Sequence, residues 1–192
     1  MYHDDFAKRD PRYLTLELPR RFADATVPGI AHPTVREVAA DYCRQFDRVA
    51  PAGVAPLFAG PVQTYKTYAA AAVTRYAHFY AQVPVRFVSV PAAFARLERR
   101  RFDPETERDL ADMKRVTFLV LDDFPLVGAG SYASAMLVEV VTHRFDAQLP
   151  TLLTGNVAVA KDDTSELDAR FGPQFGRRVY DMSAGFRVST HG

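Results

Sequence analysis

Three short stretches of this 192-residue sequence carry side chains suited to handling a charged phosphate ester. The first is Gly60-Pro61-Val62-Gln63-Thr64-Tyr65-Lys66-Thr67. An apolar run at residues 54–58 leads into it and a helical pattern over residues 68–82 leads out. Strand, loop, Lys-Thr, helix is the layout of a phosphate-binding loop, whose consensus is G-x-x-x-x-G-K-[ST]. The first glycine, the lysine and the threonine are in place; Tyr65 stands where the second glycine belongs, and Gln63 replaces another inner glycine. A loop closing onto a helix start points unpaired N–H groups at one spot, where the helix dipole favours an anion. Lys66 adds a point charge for the outer phosphates of ATP, and the Thr67 hydroxyl is a ligand for Mg2+.

The second stretch is Asp122-Asp123, at the end of the apolar run 116–121. Four apolar residues followed by Asp form the Walker B pattern. Asp122 would hold Mg2+ and Asp123 would act as general base toward an attacking water. The third is Thr154-Gly155-Asn156, after the run 150–154, where Asn156 would orient that water. Each stretch alone has a plain structural explanation. Strands often end in Asp, and Asn suits turns. The order of the three at successive strand ends points to a P-loop NTPase.

The elements that must position them follow from the pattern. Apolar runs at 54–58, 85–90, 116–121, 150–154 and 186–189 alternate with helical segments, so the expected fold is α/β: a parallel five-stranded sheet flanked by helices. Ligands bind beyond the carboxyl ends of such strands. Residues 1–30 are expected to be a lead-in segment and 31–192 the ATPase domain. The first helix is expected to start with Thr34 as N-cap and Glu37 closing a capping box. It presents Val38, Tyr42, Phe46 and Val49 on one face. Asp103-Pro104 opens a later helix, and Tyr76, Phe79 and Tyr80 are expected in the core.

Net charge is +1 and the hydrophobic content 48%, an ordinary composition with no global basic field for nucleic acid. Of the 24 basic residues four are lysines, so a lysine in the loop is a distinctive choice. Cys43 is the single cysteine, which rules out an intramolecular disulfide and fits a reducing compartment. With no apolar signal segment and no run long enough for a membrane span, the expectation is a cytoplasmic protein. The five histidines show no metal-ligand spacing.

Several stretches together resemble one family. Leu18-Pro19-Arg20-Arg21-Phe22, the run from Phe118 to Phe124, Arg144-Phe145 followed by the run from Leu149 to Asn156, and Phe175-Gly176-Arg177-Arg178-Val179-Tyr180-Asp181-Met182 are similar, in that order, to segments of the AAA+ module of DnaC-type helicase loaders and the related IstB-type transposition ATPases. The resemblance implies that Phe22 lies by the adenine. It makes Asn156 a sensor and Arg178 an arginine finger reaching a neighbouring subunit's γ-phosphate, hence self-association. It implies a replicative helicase and single-stranded DNA as partners, with Arg96, Arg99, Arg100 and Arg101 toward the DNA. The sequence departs from the family at Gln63 and Tyr65, at Met182 in place of a second closing arginine, and at Asp123, where many relatives carry Glu. About 50 residues precede the loop, so the helicase-binding domain of full-length loaders is not expected within this sequence. The alternatives are an IstB-type transposition helper and a non-hydrolysing adaptor in which the altered loop no longer supports ATP. A small-molecule kinase shares the loop but not the order of the later segments.

Overall fold

The computed structural model describes residues 18–100, 103–124, 131–156 and 165–189. A short 3-10 turn at Arg20–Phe22 precedes helix α1, Pro33–Val49. Strand β1, Leu57–Ala59, leads to α2, Lys66–Arg75, which runs on into a π-helical turn, Tyr76–Tyr80. Then come β2 (Val85–Ser89), α3 (Val90–Arg99), α4 (Pro104–Arg115), β3 (Phe118–Asp122), α5 (Tyr132–Asp146), β4 (Thr151–Gly155), α6 (Ser165–Phe171), α7 (Pro173–Met182) and β5 (Arg187–Ser189). The strands form one all-parallel sheet in the order β2-β3-β4-β1-β5.

Alternation along each strand sorts side chains to two faces. Phe118 and Val120 join Phe58, Phe87 and Leu152 in one core, closed by α1 and α2. Leu119 and Leu121 join Leu57, Val88 and Leu153 in the other, closed by α3, α4, α5 and α7. Helix α2 lies against the sheet through buried Ala69, Ala70, Ala71 and Ala72. Alanine suits a helix interior and lets the helix backbone approach the strands closely. That approach sets the height of the α2 start above the ends of β1, β3 and β4.

Some boundaries differ from expectation for local reasons. The N-cap of α1 is His32, not Thr34: its Nδ1 accepts from the Val35 N–H at 3.5 Å. Pro33 holds His32 in an extended conformation (φ −74°, ψ 115°) and starts the helix itself, which places Thr34 inside the first turn. Strand β1 begins at Leu57 because Pro56 has no N–H to give the ladder. Tyr80 is 72% exposed, not in the core, while Tyr76 packs on Phe46 and stacks on Tyr80 at 5.6 Å.

Candidate nucleotide site

The loop after β1 is tied down at its base. The Gly60 N–H donates to Gly155 O at 3.1 Å, which continues the β1–β4 pairing past the strand ends. Gly60 takes φ 135°, open only to glycine at low cost. Gln63 (φ 66°) and Tyr65 (φ 61°, ψ 17°) both adopt the left-handed conformation. The backbone therefore turns left-handed at the two positions where inner glycines are missing. Each non-glycine residue there costs about 1 kcal/mol.

Tyr65 is the N-cap of α2 and offers no side-chain cap, so no side chain closes the first turn of that helix. Lys66 is its first residue, only 8% exposed. The Lys66 ammonium donates to Pro61 O and, at 3.1 Å, to Thr64 Oγ1; the Thr64 hydroxyl donates to Pro61 O at 2.9 Å. Burial lowers the Lys66 pKa, and the carboxylates of Asp123 and Asp122 oppose that fall. A lysine held by a loop carbonyl over a helix start is a cation aimed at that loop's centre.

Asp122 ends β3 at 4% exposure. Its carboxylate accepts from the Thr154 hydroxyl at 2.6 Å and from the Thr67 side chain. Burial raises its pKa; the Thr154 bond lowers it, Asp123 raises it, and Thr67 and Arg21 lower it. The Thr154 oxygen also accepts from the Asp123 N–H at 3.0 Å. One hydroxyl thus joins the end of β4 to both aspartates. Asp123 is exposed and left-handed (φ 58°), which turns it out of the strand line.

A cleft of about 630 Å³ opens over these residues, lined by Arg21, Phe22, the run from Val62 to Tyr68, Asp123 and Asn156. The structure thus brings together Phe22, Val62, Gln63, Thr64, Tyr65, Lys66, Thr67, Asp123 and Asn156 from separate stretches of sequence. Gly60 and Pro61 form the base of the loop and Asp122 lies beneath Thr67. Arg178 does not line this cleft. It lies half-buried on α7, 6.0 Å from the Phe145 ring centre and 3.5 Å from Gln174 Oε1. Arg99 and Arg100 are exposed at the end of α3, where Arg100 pairs with Glu105 at 2.7 Å; Arg101 lies outside the described residues.

Three side chains at the site had no role of their own assigned from the sequence: Arg21 and Tyr68 in the cleft wall and Thr154 as the bridge. Thr154 was legible as part of Thr-x-Asn, but nothing in a sequence shows which way its hydroxyl turns. Arg144 was also missed. It is wholly buried, and its guanidinium donates to Thr151 Oγ1 at 2.7 Å and to the carbonyls of Met113 (2.9 Å), Val116 (2.8 Å) and Pro150 (2.9 Å).

A parallel sheet of this order, with a phosphate-loop helix after β1 and polar ends on β3 and β4, defines a P-loop NTPase of the AAA+ type. A family model described as IstB-like ATP binding protein matches residues 53–173. The chain belongs to that family of ATP-binding proteins. Solved structures agree on the fold. The DnaC helicase loader aligns with a TM-score of 0.75 at 17% identity, over 88% of this chain and 99% of that one. DnaI aligns at 0.74 and 20% identity, over 91% and 95%. The replication initiator DnaA bound to AMPPCP and single-stranded DNA aligns at 0.68 and 15% identity, over 90% of this chain and 50% of that one. No curated protein matches in sequence. Among the described residues no helix is long and apolar enough to cross a membrane.

Proposed function

We propose that the chain is an ATPase whose nucleotide site is shared between neighbouring copies, and that ATP controls its grip on a replicative helicase and single-stranded DNA. The convergence of Lys66, Thr67, Asp123 and Asn156 on one cleft, over buried Asp122, carries this reading. The donor set fits the ligands. An uncapped helix start and a buried ammonium suit phosphates. One carboxylate and one hydroxyl, Asp122 and Thr67, suit Mg2+ that arrives with those phosphates, since this ion is held by one or two protein oxygens plus substrate. Among the described residues no cluster of three or more His, Cys, Asp or Glu could hold a metal ion alone.

The residues divide the work. Lys66 and the first-turn N–H groups of α2 hold and orient the phosphates. Mg2+ held at Thr67 and Asp122 would neutralise charge that develops on them. Asp123 takes a proton from the attacking water, which Asn156 orients. Arg178, remote from its own cleft, reaches the phosphates of a neighbouring copy and stabilises transition-state charge. Arg99, Arg100 and Arg101 contact the DNA backbone, a salt-dependent interaction.

The test is turnover by mixed variants, with and without single-stranded DNA. Asp123→Asn and Arg178→Ala are each inactive alone. Mixed, they regain a quarter or so of wild-type turnover if the site is shared. No recovery on mixing contradicts a shared site. The family match favours a second reading, an IstB-type helper acting with a transposase. Nucleotide-dependent binding of the purified chain to transposase but not to helicase would select it. Wild type that binds no ATP, even with single-stranded DNA and at millimolar nucleotide, leaves the adaptor reading.

A further inference from the structure

We propose that Tyr65, the residue in place of the loop glycine, is a further binding residue that stacks on the nucleobase. This rests on the nucleotide-binding reading above and deepens it. The cleft is lined by two kinds of side chain. Lys66, Thr67, Asp123 and Asn156 are polar, and Phe22, Tyr68 and Tyr65 form an aromatic cluster, the aromatic end of the lining.

The aromatic end is built around Tyr68. The Thr26 N–H donates to the Tyr68 hydroxyl at 3.4 Å, and Gly29 leaves that hydroxyl its space, since a Cβ there would overlap it. Phe22 meets Tyr68 edge-on at 6.1 Å, and Tyr65 meets it edge-on at 6.4 Å from the other position. The Arg21 guanidinium lies 4.6 Å over the Phe22 ring, which covers one of that ring's faces. Among the described residues no cation lies over the Tyr65 ring, which is 46% exposed. It is therefore an open π-surface of the cleft.

Tyr65 holds a left-handed conformation that glycine takes without cost. A strained residue at a ligand cleft is a sign of work done by its side chain. The ring is drawn to the Tyr68 side, so the position keeps its backbone N–H for phosphate and adds a flat face for a base. Base–aromatic stacking is sequence-tolerant and strong enough to change affinity by about tenfold. The chemical class recognised is a nucleotide, held by its base as well as by its phosphates.

The expected consequence runs against the motif. Restoring the consensus glycine should weaken nucleotide binding. The experiment is calorimetric titration of the full chain with Mg-ADP and with inorganic tripolyphosphate, comparing wild type, Tyr65→Gly, Tyr65→Phe and Lys66→Ala. Tyr65→Gly should bind Mg-ADP about tenfold more weakly, bind tripolyphosphate as well as wild type, and melt no lower than wild type because backbone strain is relieved. Tyr65→Phe should bind Mg-ADP like wild type. Tyr65→Gly binding Mg-ADP as tightly as wild type, while Lys66→Ala binds nothing, overturns the stacking role and leaves the phosphate loop standing. A wild type that binds neither ligand overturns both.

Discussion

Arg144→Met should bring this domain to the edge of unfolding. Arg144 is wholly buried on α5 and has four close acceptors: Thr151 Oγ1 and the carbonyls of Met113, Val116 and Pro150. Longer contacts reach the carbonyls of Lys114 at 3.4 Å and Thr117 at 3.5 Å. These carbonyls lie at the end of α4, just beyond it, and just before β4, where Pro150 O also accepts from the Leu119 N–H at 3.2 Å, so one guanidinium ties a helix end to the edge of the β3–β4 ladder. Burial lowers its pKa, yet it stays charged at neutral pH. Methionine fills much of the volume and removes every donor. A buried acceptor left alone costs about 1–3 kcal/mol, and neighbouring losses do not add fully. The expected loss is about 4–5 kcal/mol, comparable to the cost of breaking a buried charged network, against a total of about 5–15 kcal/mol for a typical domain. Arg144→Lys should lose only part of this, because an ammonium has three donors and no planar fork. Urea unfolding followed by circular dichroism measures both. A loss under about 1 kcal/mol for Arg144→Met would refute the idea that these bonds, rather than the surrounding apolar core, hold the α5–β4 corner to the start of β3.

Thr154→Val should weaken Mg-ATP binding about tenfold, or ~1.4 kcal/mol, with Mg-free ATP little changed. Thr154→Ser should recover most of the loss, and equal loss in both variants would mean the methyl group matters as much as the hydroxyl, against a bridge made by the hydroxyl alone. Lys66→Met should abolish nucleotide binding while raising the melting temperature without ligand, because a buried ammonium kept for function is removed; a lower melting temperature contradicts that. Cys43 is buried, with its thiol pushed up to about 12, so it should resist alkylation in the native protein and react fully once unfolded. Since burial lifts the folded thiol above its ordinary value of 9.0, its contribution to stability is complete below about pH 9 and is lost as pH rises toward about 12. Unfolding measured across that range should therefore show a shallower alkaline decline in Cys43→Ala than in wild type.

The sheet was legible because its signals are local and repeated. Runs of apolar residues closed by polar ones mark the strands, and alternation with helical periods makes them parallel. Asp103 before Pro104 marked a helix start that the structure keeps, with the Glu105 N–H bonded to the Asp103 side chain at 2.9 Å. The residues of the cleft were legible by type and order. Their conformations were not. A missing glycine reads as a damaged loop, yet Gln63 and Tyr65 hold left-handed backbones that a letter code does not carry. His32 displaced Thr34 because two capping rules competed and Pro33 decided between them. Arg144 read only as part of the Arg144-Phe145 segment at a helix end, and Thr154 only as the first residue of Thr-x-Asn at a strand end. Both depend on contacts some 30 residues apart in sequence, Thr154 to Asp122 and Arg144 to Met113.

The central claim is that this cleft holds ATP through Lys66 despite its altered loop. Titration of Mg-ATP into wild type and Lys66→Ala by calorimetry tests it most directly. Saturable binding at one site per chain in wild type, lost in a Lys66→Ala protein that remains folded, is the result the account predicts. Equal binding by the two proteins, or none by wild type at millimolar nucleotide, would contradict it.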